Sequence, residues 1–102
     1  MITTTEKIPG KEYEIIGIAQ GNTIQTKNIG RDITQGLRSM AGGELKAYVE
    51  MTSKARELAT QRMMEDAERQ GADAVVMMRY ESSTVAAGAA EILAYGTAVK
   101  FI

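Results

Sequence analysis

The last third of the chain contains two strand-like segments, residues 73–81 and 91–101, that lack a regular polar face. A sheet with one face in water alternates apolar and polar positions, because successive side chains point to opposite faces. In the first segment, alternation places Ala74, Val76, Met78 and Tyr80 on one face and Val75 and Met77 on the other. Both faces therefore need cover. We expect that cover to come from self-association or, alternatively, from another element of the same chain.

The N-terminal quarter predicts β structure. Residues 13–19 are rich in β-branched side chains and indicate a strand, and Gly21-Asn22 indicates a turn after it. Residues 2–5 could form a short edge strand, separated from the next element by Pro9-Gly10.

Two helices are predicted in the middle of the chain. The first begins at Asn28 as the N-cap and ends at Gly42-Gly43, with an apolar stripe of Ile29, Ile33, Leu37 and Met40. The second covers residues 44–70 and stops at Gly71. Its packing stripe consists mostly of small side chains: Tyr48, Thr52, Ala55, Ala59, Met63 and Ala67.

The predicted order is strand, helix, helix, strand, strand, with residues 82–88 as the hairpin loop between the last two strands. This order predicts an α+β fold. We expect a small mixed sheet with one long and one shorter helix on one face, in which the strand near residue 15 could pair in parallel with the strand near residue 76. The first helix could instead cover the second face of the sheet.

Composition narrows the class of protein. The 102 residues predict a single domain, 1–102, and a net charge of −1 gives no field that favours nucleic acid. There is no apolar run of about 18 residues and no signal-peptide pattern, so we expect a cytoplasmic protein that does not enter a membrane.

The chain contains neither cysteine nor histidine. This excludes thiolate and imidazole catalysis, disulfides and Cys/His zinc sites. No motif identifies a cofactor. We expect a protein without catalytic activity.

Metal and anion sites have weak support. The pairs Met63-Met64 and Met77-Met78 contain thioethers, but neighbouring side chains diverge, so packing is the better interpretation. Gly42-Gly43, with Arg31 upstream, could form an anion-binding nest, although a plain turn is favoured.

The remaining polar candidates are interpreted first as an interface network and second as ligand-binding residues. With the glycine pair they complete the candidate set: Arg31, Asp32, Gly42, Gly43, Tyr48, Arg56 and Asp73.

Several of these residues carry a family resemblance. The blocks are Asn28-Ile29, Arg31-Asp32, Gly42-Gly43, Tyr48, Ala55-Arg56, Ala59, residues 71–76 (Gly-Ala-Asp-Ala-Val-Val) and residues 96–99 (Gly-Thr-Ala-Val). In this order they resemble the YbjQ family, small prokaryotic proteins described as heavy-metal-binding and without an established function. The resemblance implies a βαββ subunit in a ring-shaped homopentamer.

The chain departs from the family pattern at two places. Glu44 follows the glycine pair where the family often has arginine, and Met77-Met78-Arg79 replaces an acidic strand ending. Our leading hypothesis is a non-catalytic homo-oligomer, with small ligands held at subunit junctions. The alternatives are a metal- or anion-binding module and, with least support, an enzyme with an interface cleft.

Overall fold

A computed structural model describes residues 1–25, 42–86 and 89–102. Strand β1 covers Tyr13–Gln25, helix α1 Gly42–Arg69, strand β2 Ala74–Ala86 and strand β3 Ala89–Phe101. The strands form a sheet of order β1-β3-β2, in which both pairings are antiparallel. The α+β class and the βαββ order are therefore confirmed. The first predicted helix, residues 28–40, lies outside the described residues.

The predicted mixed sheet is wrong for the named strands, because β3 lies between β1 and β2 and separates them. Parallel pairing occurs instead at the N-terminus, where Ile2 bridges Val75. The amide of Thr3 donates to Val75 O at 2.9 Å, and the amide of Met77 donates to Thr5 O at 3.1 Å. Residues 1–5 thus extend the sheet along the edge of β2, as expected for a short edge strand.

Helix α1 begins at Gly42, two residues before the predicted start, so Gly42 and Gly43 are its first two residues. Its C-terminus matches the prediction. Gly71 adopts a positive φ of 82°, and its amide donates to Glu68 O while the amide of Ala72 donates to Ala67 O. This pair of bonds is a Schellman motif, which satisfies carbonyls that the helix end leaves open.

Strand β1 does not turn at Gly21-Asn22 but continues to Gln25. The reason is close packing: a Cβ at Gly21 would lie 2.2 Å from Met63 N and 2.6 Å from Ala59 O. The glycine lets α1 approach the strand. The predicted loop at 82–88 is likewise too long, because β2 pairs with β3 as far as Ala86↔Ala89.

Two clusters of buried side chains hold the fold. The cluster beneath α1 contains Ala19, Ala59, Met63, Ala67, Val75, Met78, Ala94 and Ala98. The cluster on the other face contains Ile8, Ala74, Val76 and Val99, with Tyr13 and Phe101 packed against it. Residues 74–76 are therefore covered on both faces by their own chain, and the expectation that they need another copy is wrong.

A bulge in β2 changes which methionine faces the core. Register with β3 shifts between Val76 and Arg79, and Met77 adopts a φ of 55°. The extra residue moves Met78 to the face of Val75, beneath α1, whereas alternation had placed it with Val76. Met63 and Met78 are both buried, so packing is the confirmed interpretation for these two side chains.

Candidate functional site

The face of the sheet opposite α1 carries exposed apolar side chains on β1. Ile15 and Ile18 are each 71% exposed and Ile24 is 57% exposed. Ile18 follows the strand alternation away from Ala19, which is fully buried beneath α1, and Ile24 does the same relative to Thr23. Ile15 pairs with Val99 of the second cluster. We call Ile15, Ile18 and Ile24 the open face.

The open face continues onto the central strand. Leu93 pairs with Asn22, and Tyr95 pairs with Gln20, so both β3 side chains lie on this side of the sheet, where they are half-buried. The second buried cluster, around Val99, covers the face only toward the end where Tyr13 pairs with Phe101. Cover by the first predicted helix, the alternative to self-association, concerns residues outside the described ranges.

The outer edge of β1 is closed by three side chains of α1. Arg62 Nη1 donates to Asn22 O at 2.6 Å, and Gln70 Nε2 donates to Ile18 O at 2.9 Å. Between them, the amide of Gln20 donates to Asp66 Oδ2 at 3.0 Å. The three side chains are spaced four residues apart, which puts them on one side of the helix. Between Ile18 and Asn22, these bonds occupy backbone groups that could otherwise pair with another strand.

A cleft of about 440 Å³ lies between α1 and β2 and is lined by Ser53, Arg56, Glu57, Thr60 and Tyr80. Helix α1 packs mainly on β1 and β3, and among the described residues Tyr80 of β2 is left 45% exposed. Thr60 Oγ1 lies 2.6 Å from Tyr80 Oη and donates to Arg56 O at 2.8 Å. Arg56 Nη2 donates to Ser53 Oγ at 3.2 Å. The cleft therefore combines a guanidinium, three hydroxyls and a carboxylate.

A second cleft of about 440 Å³ lies along the closed edge of β1, where Asn22 Nδ2 donates to Glu91 Oε2 at 2.7 Å. Asp66, on the same cleft, is already bonded to Gln20 N and forms a 3.5 Å ion pair with Arg69. In the described part of the chain, no group of three or more His, Cys, Asp or Glu side chains could hold a metal ion.

The structure describes five of the seven candidate residues predicted from sequence. Arg56 lines the α1–β2 cleft. Asp73 makes structural contacts: its Oδ2 accepts from Phe101 N at 2.8 Å, and its amide donates to Val99 O at 2.8 Å, which ties the start of β2 to the end of β3. Gly42, Gly43 and Tyr48 lie on α1. Arg31 and Asp32 lie outside the described residues.

Sequence reasoning missed the partners of Arg56. Ser53 and Thr60 lie three residues before and four residues after it, which is the spacing of one helix side, so periodicity could have found them. Tyr80 could not be found this way, because the bulge at Met77 decides which side of the sheet it occupies. The sequence predicts an uncovered face on the C-terminal strands, whereas the isoleucines of the open face belong to β1.

Comparison with known proteins supports one family. A family model described as "Putative heavy-metal-binding" matches residues 1–102. A "UPF0145 protein" of Methanosarcina acetivorans is 58% identical over 103 residues, covering 100% of this chain and 97% of that protein. One from Thermotoga maritima is 55% identical over 101 residues, covering 98% and 95%. These names give no activity.

A solved structure shows a similar fold. The crystal structure of a protein of unknown function from the DUF74 family of Pediococcus pentosaceus superposes with a TM-score of 0.69 and 16% identity. The match covers 100% of this chain and 97% of that one. Within the described residues, no helix has the length and apolar character needed to cross a membrane.

Proposed function

The chain belongs to the YbjQ family, and on this basis we propose that it is a non-catalytic subunit that associates with copies of itself through the open face. The observation that carries the proposal is the exposure of Ile15, Ile18 and Ile24 on the side of β1 that faces away from α1. The assembly we propose is the homopentamer that the family resemblance implies, located in the cytoplasm.

The energy of burial supports an assembly with extensive contacts. Complete burial of an isoleucine is worth about 1.5–3 kcal/mol, so three side chains that are 57–71% exposed could contribute about 3–6 kcal/mol in all. Association costs at least about 4 kcal/mol in lost freedom of motion. The three isoleucines therefore approximately balance that cost, and Leu93, Tyr95 and further contacts have to supply the net affinity.

A closed ring suits such a subunit. In a ring, each subunit uses two different surfaces and gains two interfaces, so that a modest contact is reinforced by closure. Association by strand addition at the outer edge of β1 is disfavoured between Ile18 and Asn22. There the side chains of Arg62, Asp66 and Gln70 already bind the backbone groups of the strand. Side-chain packing on the open face is the mode that the geometry favours.

The absence of catalysis is part of the proposal and rests on composition. Without histidine or cysteine, the chain lacks the common pairing of a base with a nucleophile. Small ligands would then be held at or near the junctions between subunits. Heavy-metal binding is the alternative that the family description raises, and native mass spectrometry would detect a retained metal together with the subunit count.

Light scattering coupled to gel filtration tests the proposal. We expect the wild-type protein to elute at about five times the subunit mass of 11.0 kDa. Ile18→Lys should shift it toward the monomer, because a charge on the open face is costly to bury. Val49→Lys is the matched control, since Val49 is a 53% exposed apolar residue on α1. Equal masses for the two variants would contradict a role for the open face.

A further inference from the structure

We infer that the α1–β2 cleft binds a small molecule through an oxyanion, a carboxylate or phosphate group, held by the guanidinium of Arg56 and the hydroxyl of Ser53. The cleft is formed by one chain, so this inference does not depend on self-association. The cleft is an open surface depression of about 440 Å³, so a ligand would be held by polar contacts and not by enclosure.

The hydrogen bonds across the cleft determine which groups remain available to a ligand. The hydroxyl hydrogen of Thr60 is donated to Arg56 O at 2.8 Å. In the 2.6 Å contact between Thr60 and Tyr80, Tyr80 must therefore be the donor. Both hydrogens are used, so Tyr80 Oη can only accept a hydrogen bond from a ligand. Ser53 Oγ accepts from Arg56 at 3.2 Å, and its own hydrogen has no acceptor in the part of the chain that the structure describes.

Arg56 is the group most suited to an oxyanion. Within the described ranges, its side chain makes one hydrogen bond, to Ser53, and forms no ion pair. A guanidinium has five N–H donors in a planar fork that matches the two oxygens of a carboxylate or phosphate. Among the described residues, the other four donors have no partner. The second described cleft differs, because its arginine, Arg69, already has a carboxylate partner.

Two acceptors restrict the ligand further, one on β2 and one beside Arg56 on α1. Glu57 and Tyr80 line the same space, and both can accept hydrogen bonds. The carboxylate of Glu57 also makes the formal charge of the lining zero, which disfavours a bare multivalent anion. The chemistry fits a molecule that has an oxyanion at one end and a hydroxyl or ammonium donor at the other, such as a hydroxy acid, an amino acid or a phosphorylated alcohol.

Titration followed by NMR tests this site. The probes are L-lactate, glycine and glycerol phosphate, with inorganic phosphate and acetate as anions that lack the second donor. We expect amide shifts confined to the vicinity of Ser53, Thr60 and Tyr80, with tighter binding of one of the bifunctional probes than of the simple anions. Arg56→Gln should weaken that binding about tenfold or more, since a charged bidentate contact is lost. Arg56→Lys keeps the charge without the planar fork, so its affinity should lie between those of the wild type and Arg56→Gln.

Arg69→Gln is the matched control, because Arg69 is an exposed arginine on the same helix, and it should leave the affinity unchanged. The inference is overturned if no probe shifts these amides at a probe concentration of about 10 mM. It is also overturned if Arg56→Gln and Arg69→Gln have equal effects. Repeating the titration on Ile18→Lys separates the two proposals: a monomer that still binds supports the site, whatever the assembly.

Discussion

The close approach of α1 to β1 at Gly21 gives the sharpest test of the packing. In Gly21→Ala, the new Cβ would lie 2.2 Å from Met63 N, 2.6 Å from Ala59 O and 2.6 Å from the carbonyl carbon of Arg62. All three are backbone atoms of the helix, so no side-chain rotation can relieve the overlap. Either the helix or the strand has to move.

The magnitude follows from the contacts that this movement loosens. Overpacking of a core costs about 1–3 kcal/mol. A helix that moves away also stretches the bonds from Arg62, Asp66 and Gln70 to β1, each worth about 0.5–1.5 kcal/mol. We therefore expect Gly21→Ala to lower the free energy of unfolding by about 3–5 kcal/mol, a large part of the roughly 5–15 kcal/mol of a domain.

Gly71→Ala is the matched control. Gly71 also lacks a side chain, but a Cβ there meets nothing within 4 Å, and only its φ of 82° is unfavourable for alanine. That strain costs about 1–2 kcal/mol, partly offset by the lower entropy of the unfolded chain. Urea unfolding of both variants, at one protein concentration and with the association state checked, measures the difference. Equal losses would refute the close-contact argument at Gly21.

Three further predictions concern single contacts and are checked by the same unfolding assay. Met77→Gly should raise the free energy of unfolding by about 0.5–1 kcal/mol, because glycine accepts a φ of 55° without steric cost; a loss would show that the methionine side chain matters more than the strain. Asp66→Ala should cost about 1–2 kcal/mol, since the amide of Gln20 loses a charged acceptor, and an unchanged stability would contradict the edge closure. Met63→Ala should cost about 2–5 kcal/mol because Met63 is fully buried, whereas the half-buried Met64 should tolerate alanine better.

The elements governed by local periodicity could be predicted from the sequence. The long helix and its stop at Gly71 follow from a repeating stripe of small residues and from a glycine that accepts a positive φ. The order of strand, long helix and two strands follows from the strand and helix patterns, while the βαββ type was implied by the family resemblance. These patterns depend on residues close together in sequence, so they can be recognised without knowledge of tertiary contacts.

Features set by tertiary contacts could not be predicted. Gly21 has the sequence character of a turn residue, but it serves to admit the helix backbone. The bulge at Met77 reverses the facing of Met78, and alternation alone contains no sign of it. Ile8 lies in a segment without strand pattern, yet it is 7% exposed and covers residues that were expected to need a second copy.

The candidate site also combines features that local sequence predicts with features that tertiary contacts set. The helix pattern indicates Arg56 as a candidate, and the structure places it in a cleft. The hydroxyl of Tyr80 reaches Thr60 only because β2 and α1 are brought together across twenty residues of sequence. Asp73 was selected for its charge, but its oxygen is used by the amide of Phe101.

Native mass spectrometry of the wild-type protein at micromolar concentration tests the central claim most directly, because it counts subunits. If other copies cover the open face in a closed ring, the principal species has a mass of about five times 11.0 kDa. Ile18→Lys should dissociate this species. A principal species of a single subunit for the wild-type chain would contradict the account.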